Sequence, residues 1–272
     1  MNALKRFQVS DLSARRVYEA VVRRVVDIPD ALAWRGGSGF AHENKERLAR
    51  FAGKHSGERC FILGNGPSLA AMDLSPLEQE FTFGTNRIYL YFDKMGFATS
   101  YFVSINELVL EQFGKDIGKL PMPKFLNWNR RALFGSSDES IVYVNLKYSM
   151  GDTFEEDIRR PLSGGGTVTY VALQIAFFMG FQEVILIGVD HNFSSKGTPN
   201  TTALRRTGSD KDHFLPNYFP AGVRWQLPDL KRSEVAYALA EKHYAAAGRR
   251  VLDATIGGKC PVFEKVDYTD LF

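Results

Sequence analysis

The chain has 272 residues, 44% of them hydrophobic and 24% charged, with a formal net charge of +3. That length buries a substantial core, and the balance excludes disordered and fibrous classes. So mild a positive charge, with no aromatic-basic repeat, leaves no footprint for nucleic acid.

Taken in chain order, residues 11–26 (DLSARRVYEAVVRRVV) predict an amphipathic helix. Val17, Val21 and Val25 share a face with Tyr18 and Val22, and Arg15, Arg16, Arg23 and Arg24 enrich the rest. Such a helix packs on its own domain or a second subunit, or lies peripherally on anionic lipid. A Gly/Ser break from Arg35 to Gly39 is the linker candidate, and a charged helical stretch, ENKERLARFAGKH, follows it. Residues 1–56 are therefore expected to form an N-terminal helical extension, with 57–272 as the main domain. From Arg59 onward, CFILG, FTFGTN, SYFVSIN, KFLNWN, IVYVNL, EVILIGVD and RVLDAT read as strands. Several are continuously apolar, as in a parallel sheet covered on both faces. Thr167 to Phe181 predicts a buried helix, and a second one starts at Asp229 and is stopped by Gly248. The alternation predicts a Rossmann-like, doubly wound α/β sheet, mostly parallel. A long polar stretch at about 191–228 is expected to be an inserted lid.

Cys60 and Cys260 lack metal-ligand spacing, and a buried thiol in a reducing compartment is the expectation for Cys60. No apolar run is long enough for a bilayer, and the N-terminus lacks the apolar core of a signal peptide. The expected location is cytoplasmic, or peripheral at the inner membrane face.

Ligands of an open parallel sheet bind beyond the carboxyl ends of its strands. Those ends carry Gly64-Asn65-Gly66, Asn86, Asn106 and Gly188-Val189-Asp190. Amides offer donors and acceptors suited to phosphate and ribose, although each Asn alone also makes a good helix or turn cap. Gly64-x-Gly66 lacks the third glycine of a dinucleotide fingerprint, since Leu69 stands there, and Asn86 replaces the acidic residue after the second strand. What remains is a glycine turn feeding a helix, with Pro67 at its first position, Ser68 following, and free N–H groups for an anion. Ser163, Gly164, Gly165 and Gly166 before Thr167 make a second such start. In the lid, Arg205 and Arg206 would neutralise phosphate, His213 would take a proton from an acceptor hydroxyl, and Tyr218 lies nearby. His191 reads as a turn residue paired to backbone.

The runs CFILGNGPSL, TFGTN, FVSIN, SGGGTVTYVALQIAFFMGFQEVILIGVD and DHFLPNYF resemble the family typed by archaeal 6-hydroxymethylpterin diphosphokinase, which includes domains of bacterial motility accessory factors. The pattern is also similar to bacterial CMP-sialic-acid-dependent sialyltransferases. The resemblance covers roughly Arg59 to the C-terminus. It implies Asn65 and Asn86 on a nucleotide phosphate, Asn106, Ser163 and Gly164 along the nucleotide and ribose, and Gly188 and Asp190 near the base. A lid His as general base and lid tyrosines on the departing phosphate are also implied. Pro228 or its neighbours fall where that His is expected, so His213 is the replacement candidate and Tyr218 the phosphate helper.

Three functions follow from this reading. The first is a glycosyltransferase using a nucleotide donor, CMP-linked in the first instance, and a glycan or protein hydroxyl, with no obligatory metal or other cofactor. The second is an ATP-dependent diphosphokinase of the pterin type, needing Mg²⁺ on Asp190, Asp210 or Asp212. The third is a nucleotide-binding regulatory module without turnover.

Overall fold

The computed structural model describes residues 28–36, 39–147, 151–194, 197–199, 202–205 and 210–272. The helix expected over 11–26 and the side chains of Arg205 and Arg206 lie outside what it describes.

Eight strands form one parallel sheet: β1 (Arg59–Leu63), β2 (Phe81–Thr85), β3 (Tyr101–Ser104), β4 (Lys124–Asn127), β5 (Ile141–Val144), β8 (Glu183–Ile187), β11 (Arg250–Asp253) and β12 (Glu264–Lys265), in the order β12-β11-β8-β1-β2-β3-β4-β5. All seven adjacent pairs are parallel. Outside this sheet β6 (Leu146–Lys147) pairs in parallel with β7 (Leu162–Ser163), and a one-turn helix, α3 (Phe92–Met95), lies between β2 and β3. The strands predicted as continuous apolar runs are buried along their length, Cys60 to Leu63 and Val184 to Ile187 being fully inaccessible. No alternation survives because neither face of these strands meets water.

The order runs outward in both directions from adjoining β1 and β8, so the topological switch lies between them. Helix α5 (Val168–Met179) packs on β1, β2 and β3, and α6 (Leu230–Ala246) packs on α5 and β11. Ten of the twelve α5 residues are buried, which explains how its β-branched residues are tolerated: tertiary burial outweighs propensity. Helices α1 (Ile28–Arg35) and α2 (Gly39–Ala49) bring Trp34, Ala41 and Leu48 into the same core as the sheet. Trp34 meets Trp128 edge-on at 5.1 Å, while Phe40 stacks on Trp128 at 5.5 Å.

The helix expected after the first glycine turn is a 3₁₀ segment, Pro67–Ala71, and a second follows at Ser75–Gln79. Leu69 and Leu77 are the buried residues of these short turns, one each. One apolar anchor per turn does not sustain an amphipathic α-helix. In the stretch expected to be a lid, β9 (Thr202–Arg205) and β10 (Arg224–Gln226) pair antiparallel. The segment between them is anchored by buried Phe214, Tyr218 and Phe219. Helix α4 (Glu107–Gly118) meets this hairpin: Gln112 Nε2 donates to Arg224 O at 2.9 Å, and Arg224 N donates back to Gln112 Oε1 at 2.9 Å. No helix among the described residues is long and apolar enough to cross a membrane.

Candidate active site

A cleft of about 600 Å³ opens beyond the carboxyl ends of β1, β2, β3 and β8. Gly64, Asn65, Gly66, Asn86, Asn106, Gly164, Thr167, Gly188, Asp190, His213 and Tyr218 line it, together with His191, which sequence reasoning set aside. Ser163 and Gly165 do not line it.

At the first glycine turn the geometry departs from the expected anion site. Gly66 N donates to Gly188 O at 2.9 Å, and Ser68 N donates to Asp190 Oδ1 at 3.0 Å. Ser68 Oγ donates to the other Asp190 oxygen at 2.7 Å. The protein's own carboxylate thus occupies the place expected for phosphate, and the N–H groups of Gly66 and Ser68 are not free. The glycines have a packing reason as well. A Cβ on Gly64 would lie 2.2 Å from Gly188 O, and one on Gly66 would lie 1.8 Å from Asp190 Oδ2. Only glycine lets the ends of β1 and β8 approach this closely.

The three asparagines divide their groups differently. Asn65 Nδ2 donates to Thr85 Oγ1 at 2.8 Å, and that hydroxyl donates to Leu63 O at 2.7 Å, which fixes the orientation of the amide. Its Oδ1 is buried without a donor. The donor expected for phosphate is therefore committed, and the orphan at the switch point is an acceptor. Asn86 adopts φ 51 and accepts from Ser104 Oγ through its Oδ1. Asn106 caps α4, accepting from Val109 N at 3.2 Å. Both keep Nδ2 groups with no partner among the described residues.

The second glycine turn retains its donors. Among the described residues the N–H groups of Gly164, Gly165 and Gly166 have no hydrogen-bond acceptor, and they precede Thr167, the N-cap of α5. A helix start with exposed N–H groups is the physical requirement for holding an anion. Gly165 (φ 57) is forced by packing: a Cβ there would lie 2.3 Å from the Tyr170 ring. Ser163 is fully buried behind the cleft, its Oγ accepting from Thr153 N, so it supports the turn.

His213 has Nδ1 held at 2.9 Å by both oxygens of Asp210, whose side chain is inaccessible. Its ring lies flat on Tyr218, centroids 4.0 Å apart and planes 3° from parallel. With Nδ1 occupied, Nε2 is the nitrogen left without a partner among the described residues. Tyr218 differs from expectation. Its hydroxyl accepts from Arg87 N at 3.2 Å, the residue is 1% exposed, and burial drives its phenol pKa far up. Its hydroxyl is thus engaged by backbone, and its ring is a platform for His213. The lid is tied to the first turn by Phe214 N donating to Asn65 O at 3.0 Å.

The carboxylates named for Mg²⁺ do not fit a metal site. Asp190 caps the first turn, Asp210 holds His213, and Asp212 accepts from Ser194 N and Oγ, both at 2.7 Å. No three His, Cys, Asp or Glu side chains gather around a shared point among the described residues.

Two groups were missed in sequence. His191, at φ 53, places Nε2 3.0 Å from Glu234 Oε1 on α6, so it pairs with a side chain and not with backbone. Arg87 is a buried guanidinium stacked on Phe113 at 3.7 Å, with Nη1 unpartnered and no carboxylate beside it among the described residues. The position of His191 directly after a strand-end Asp was the available signal. Arg87 had none.

Residues 40–196 match the family model described as 6-hydroxymethylpterin diphosphokinase MptE-like. The chain belongs to the MptE-like family. The MptE-like region thus takes in β1 to β8, both glycine turns and the strand-end amides, but not the His213 segment or α6. Among proteins of curated function none matches the chain significantly. Among solved structures, the MAf glycosyltransferase from Magnetospirillum magneticum AMB-1 is similar in fold, with a TM-score of 0.50 and 16% identity over 85% of this chain. The chain corresponds to 39% of that structure's length.

Proposed function

We propose that this MptE-like protein is a glycosyltransferase that moves a sugar, of the nonulosonic-acid kind, from a CMP-linked donor to a hydroxyl of a glycan or protein. The observation that carries the reading is the Asp210-held His213 on the wall of the cleft at the β1–β8 switch point. Orientation of one imidazole nitrogen by a buried carboxylate leaves the other as a general base.

In the reaction, His213 Nε2 takes the acceptor proton as the acceptor oxygen bonds to the anomeric carbon. The bond from that carbon to the phosphate oxygen breaks, and its electron pair leaves on the phosphate. The N–H groups of Gly164 and Gly166 and the Nδ2 groups of Asn86 and Asn106 are preorganised donors for that charge. The carboxylates that would hold Mg²⁺ are engaged elsewhere, Asp190 by Ser68, Asp210 by His213 and Asp212 by Ser194.

The test is a thermal-shift and calorimetric screen of CMP, CDP, UDP, GDP and ATP, each with and without Mg²⁺. Metal-independent stabilisation by CMP is expected, at about 2.7 kcal/mol when ligand stands at 100 times Kd. Stabilisation by ATP alone, and only with Mg²⁺, would replace the transferase with the diphosphokinase that names the family. Tight nucleotide binding with no product from any sugar donor would favour a regulatory module.

A further inference from the structure

Two histidines stand at this cleft, each with one ring nitrogen held by a carboxylate. His213 is held through Nδ1, whereas His191 is held through Nε2 by Glu234. The remaining nitrogen of each has no partner among the described residues. The His191 side chain is 6% exposed and its backbone sits at φ 53, a left-handed conformation unfavourable for a non-glycine residue. It is kept there from both sides: Asp190 before it is bonded to Ser68, and Glu234 on α6 holds the ring. Tyr237 of the same helix lies against it, centroids 6.3 Å apart. Strain retained on a cleft wall points to use of the side chain it aims.

The first glycine turn supplies the use. Its donors are spent, Gly66 N on Gly188 O and Ser68 on Asp190, so phosphate in the β1–β8 crevice meets a carboxylate without a compensating cation in that turn. His191 is the residue next to that carboxylate. Because Glu234 is the acceptor at Nε2, that nitrogen carries the hydrogen, and Nδ1 donates only in the doubly protonated ring.

Resting on the transferase reading, we infer that His191 is a second catalytic residue, whose Nδ1–H hydrogen-bonds the phosphate oxygen that departs with the nucleotide, with Glu234 as its positioning residue. As the anomeric carbon–oxygen bond breaks, the electron pair stays on that oxygen, where the hydrogen bond from His191 stabilises it. The acceptor proton goes to His213, so the two histidines serve opposite ends of one displacement.

The contrast between CMP and cytidine isolates the phosphate. His191→Asn retains a residue that tolerates the left-handed backbone, and calorimetry measures both ligands on wild type and variant. Binding of CMP is expected to weaken about 10-fold or more, the loss of one charge-assisted hydrogen bond, with cytidine unchanged within about twofold. Glu234→Gln, at a half-exposed position on a long helix, should show the same selectivity at smaller size, and it provides the reading if His191→Asn does not fold. Equal weakening of both ligands, or of neither, overturns the inference and leaves the transferase standing. A wild-type protein that binds no nucleoside monophosphate overturns the transferase reading, and this inference with it.

Discussion

At the scale of single residues, the site is built from side chains that are each held at one end. Asp210 is inaccessible, accepts from Asp212 N at 3.0 Å and grips His213 Nδ1 with both oxygens. Tyr218 fixes the plane of the ring from below, and Phe219 meets its edge at 5.2 Å. An imidazole set this firmly, acting as the proposed base, loses little entropy on reaching its working geometry. His213→Ala and Asp210→Asn should therefore each lower kcat by ~10²–10⁴, since one removes the base and the other its orientation. Because they act as a unit, the double variant should be no slower than the worse single one. Multiplying losses in steady-state kinetics would show that the two act independently. Thermal unfolding of each variant, measured alongside, separates this from general destabilisation.

At the scale of elements, one polar residue of α2 closes the end of the sheet. Asn44, 1% exposed, donates from Nδ2 to Tyr143 O at 2.9 Å and accepts from Tyr143 N at 2.8 Å. Its amide thus pairs with the backbone of edge strand β5 as a neighbouring strand would, which removes the free edge. Asn44→Ala leaves a buried N–H and C=O unsatisfied and should cost about 2–4 kcal/mol. The measurement is a shift in urea midpoint with unchanged m; a loss under 0.5 kcal/mol, roughly the surface-substitution range, would mean that water replaces the amide. Nothing in ENKERLARFAGKH marks Asn44 as different from its solvated neighbours, because the partner lies 99 residues away. The strands were legible for the opposite reason: burial on both faces writes itself as an unbroken apolar run. The glycine turns were legible as turns, but not their contents. Gly66 looks the same in sequence whether phosphate or Asp190 fills the space a Cβ would take. Likewise Asn106 reads as amide donor or helix cap until α4 shows it as the cap, with Oδ1 on Val109 N and Nδ2 left over. His213 stood out as a lid histidine, yet its partner three residues back was read as a metal ligand. Short spacing alone does not tell which way a carboxylate turns.

At the scale of the whole molecule, the ionisable groups define a pH window for stability. Asp157 is held below the usual carboxylate range first by its bond from Arg159, and Asp73 and Asp267 by backbone N–H groups of Ser75 and Thr269. Asp138 is also lowered: desolvation opposes the shift but is outweighed by Ser140 and Lys124. For each of these, the unfolded chain binds protons at a higher pH than the folded one. Their contribution is therefore present above about pH 4 and is lost as pH falls through the lower folded values. Glu241 runs the other way, raised by burial, and offsets one of the four. On the alkaline side, burial raises both thiols, Cys60 and Cys260. It also raises the phenols of Tyr89, Tyr101, Tyr143, Tyr170, Tyr218, Tyr237, Tyr244 and Tyr268. Tyr101, Tyr237 and Tyr268 are pushed up to about 12. Above pH ~8.5 the unfolded chain releases these protons first, so stability falls as pH rises toward the folded values. Ten groups act on that limb, opposed by Lys124, whose ammonium is lowered by burial, against a net few on the acid limb, and the slope of stability with pH counts protons. Unfolding free energy measured by urea titration from pH 3 to 10.5 should be flat between about 5 and 8.5, then fall more steeply per pH unit on the alkaline side than on the acid side. A symmetric profile, or one still rising above pH 9, would mean that the buried phenols ionise without unfolding. The sheet's aromatic interior would then be open to water.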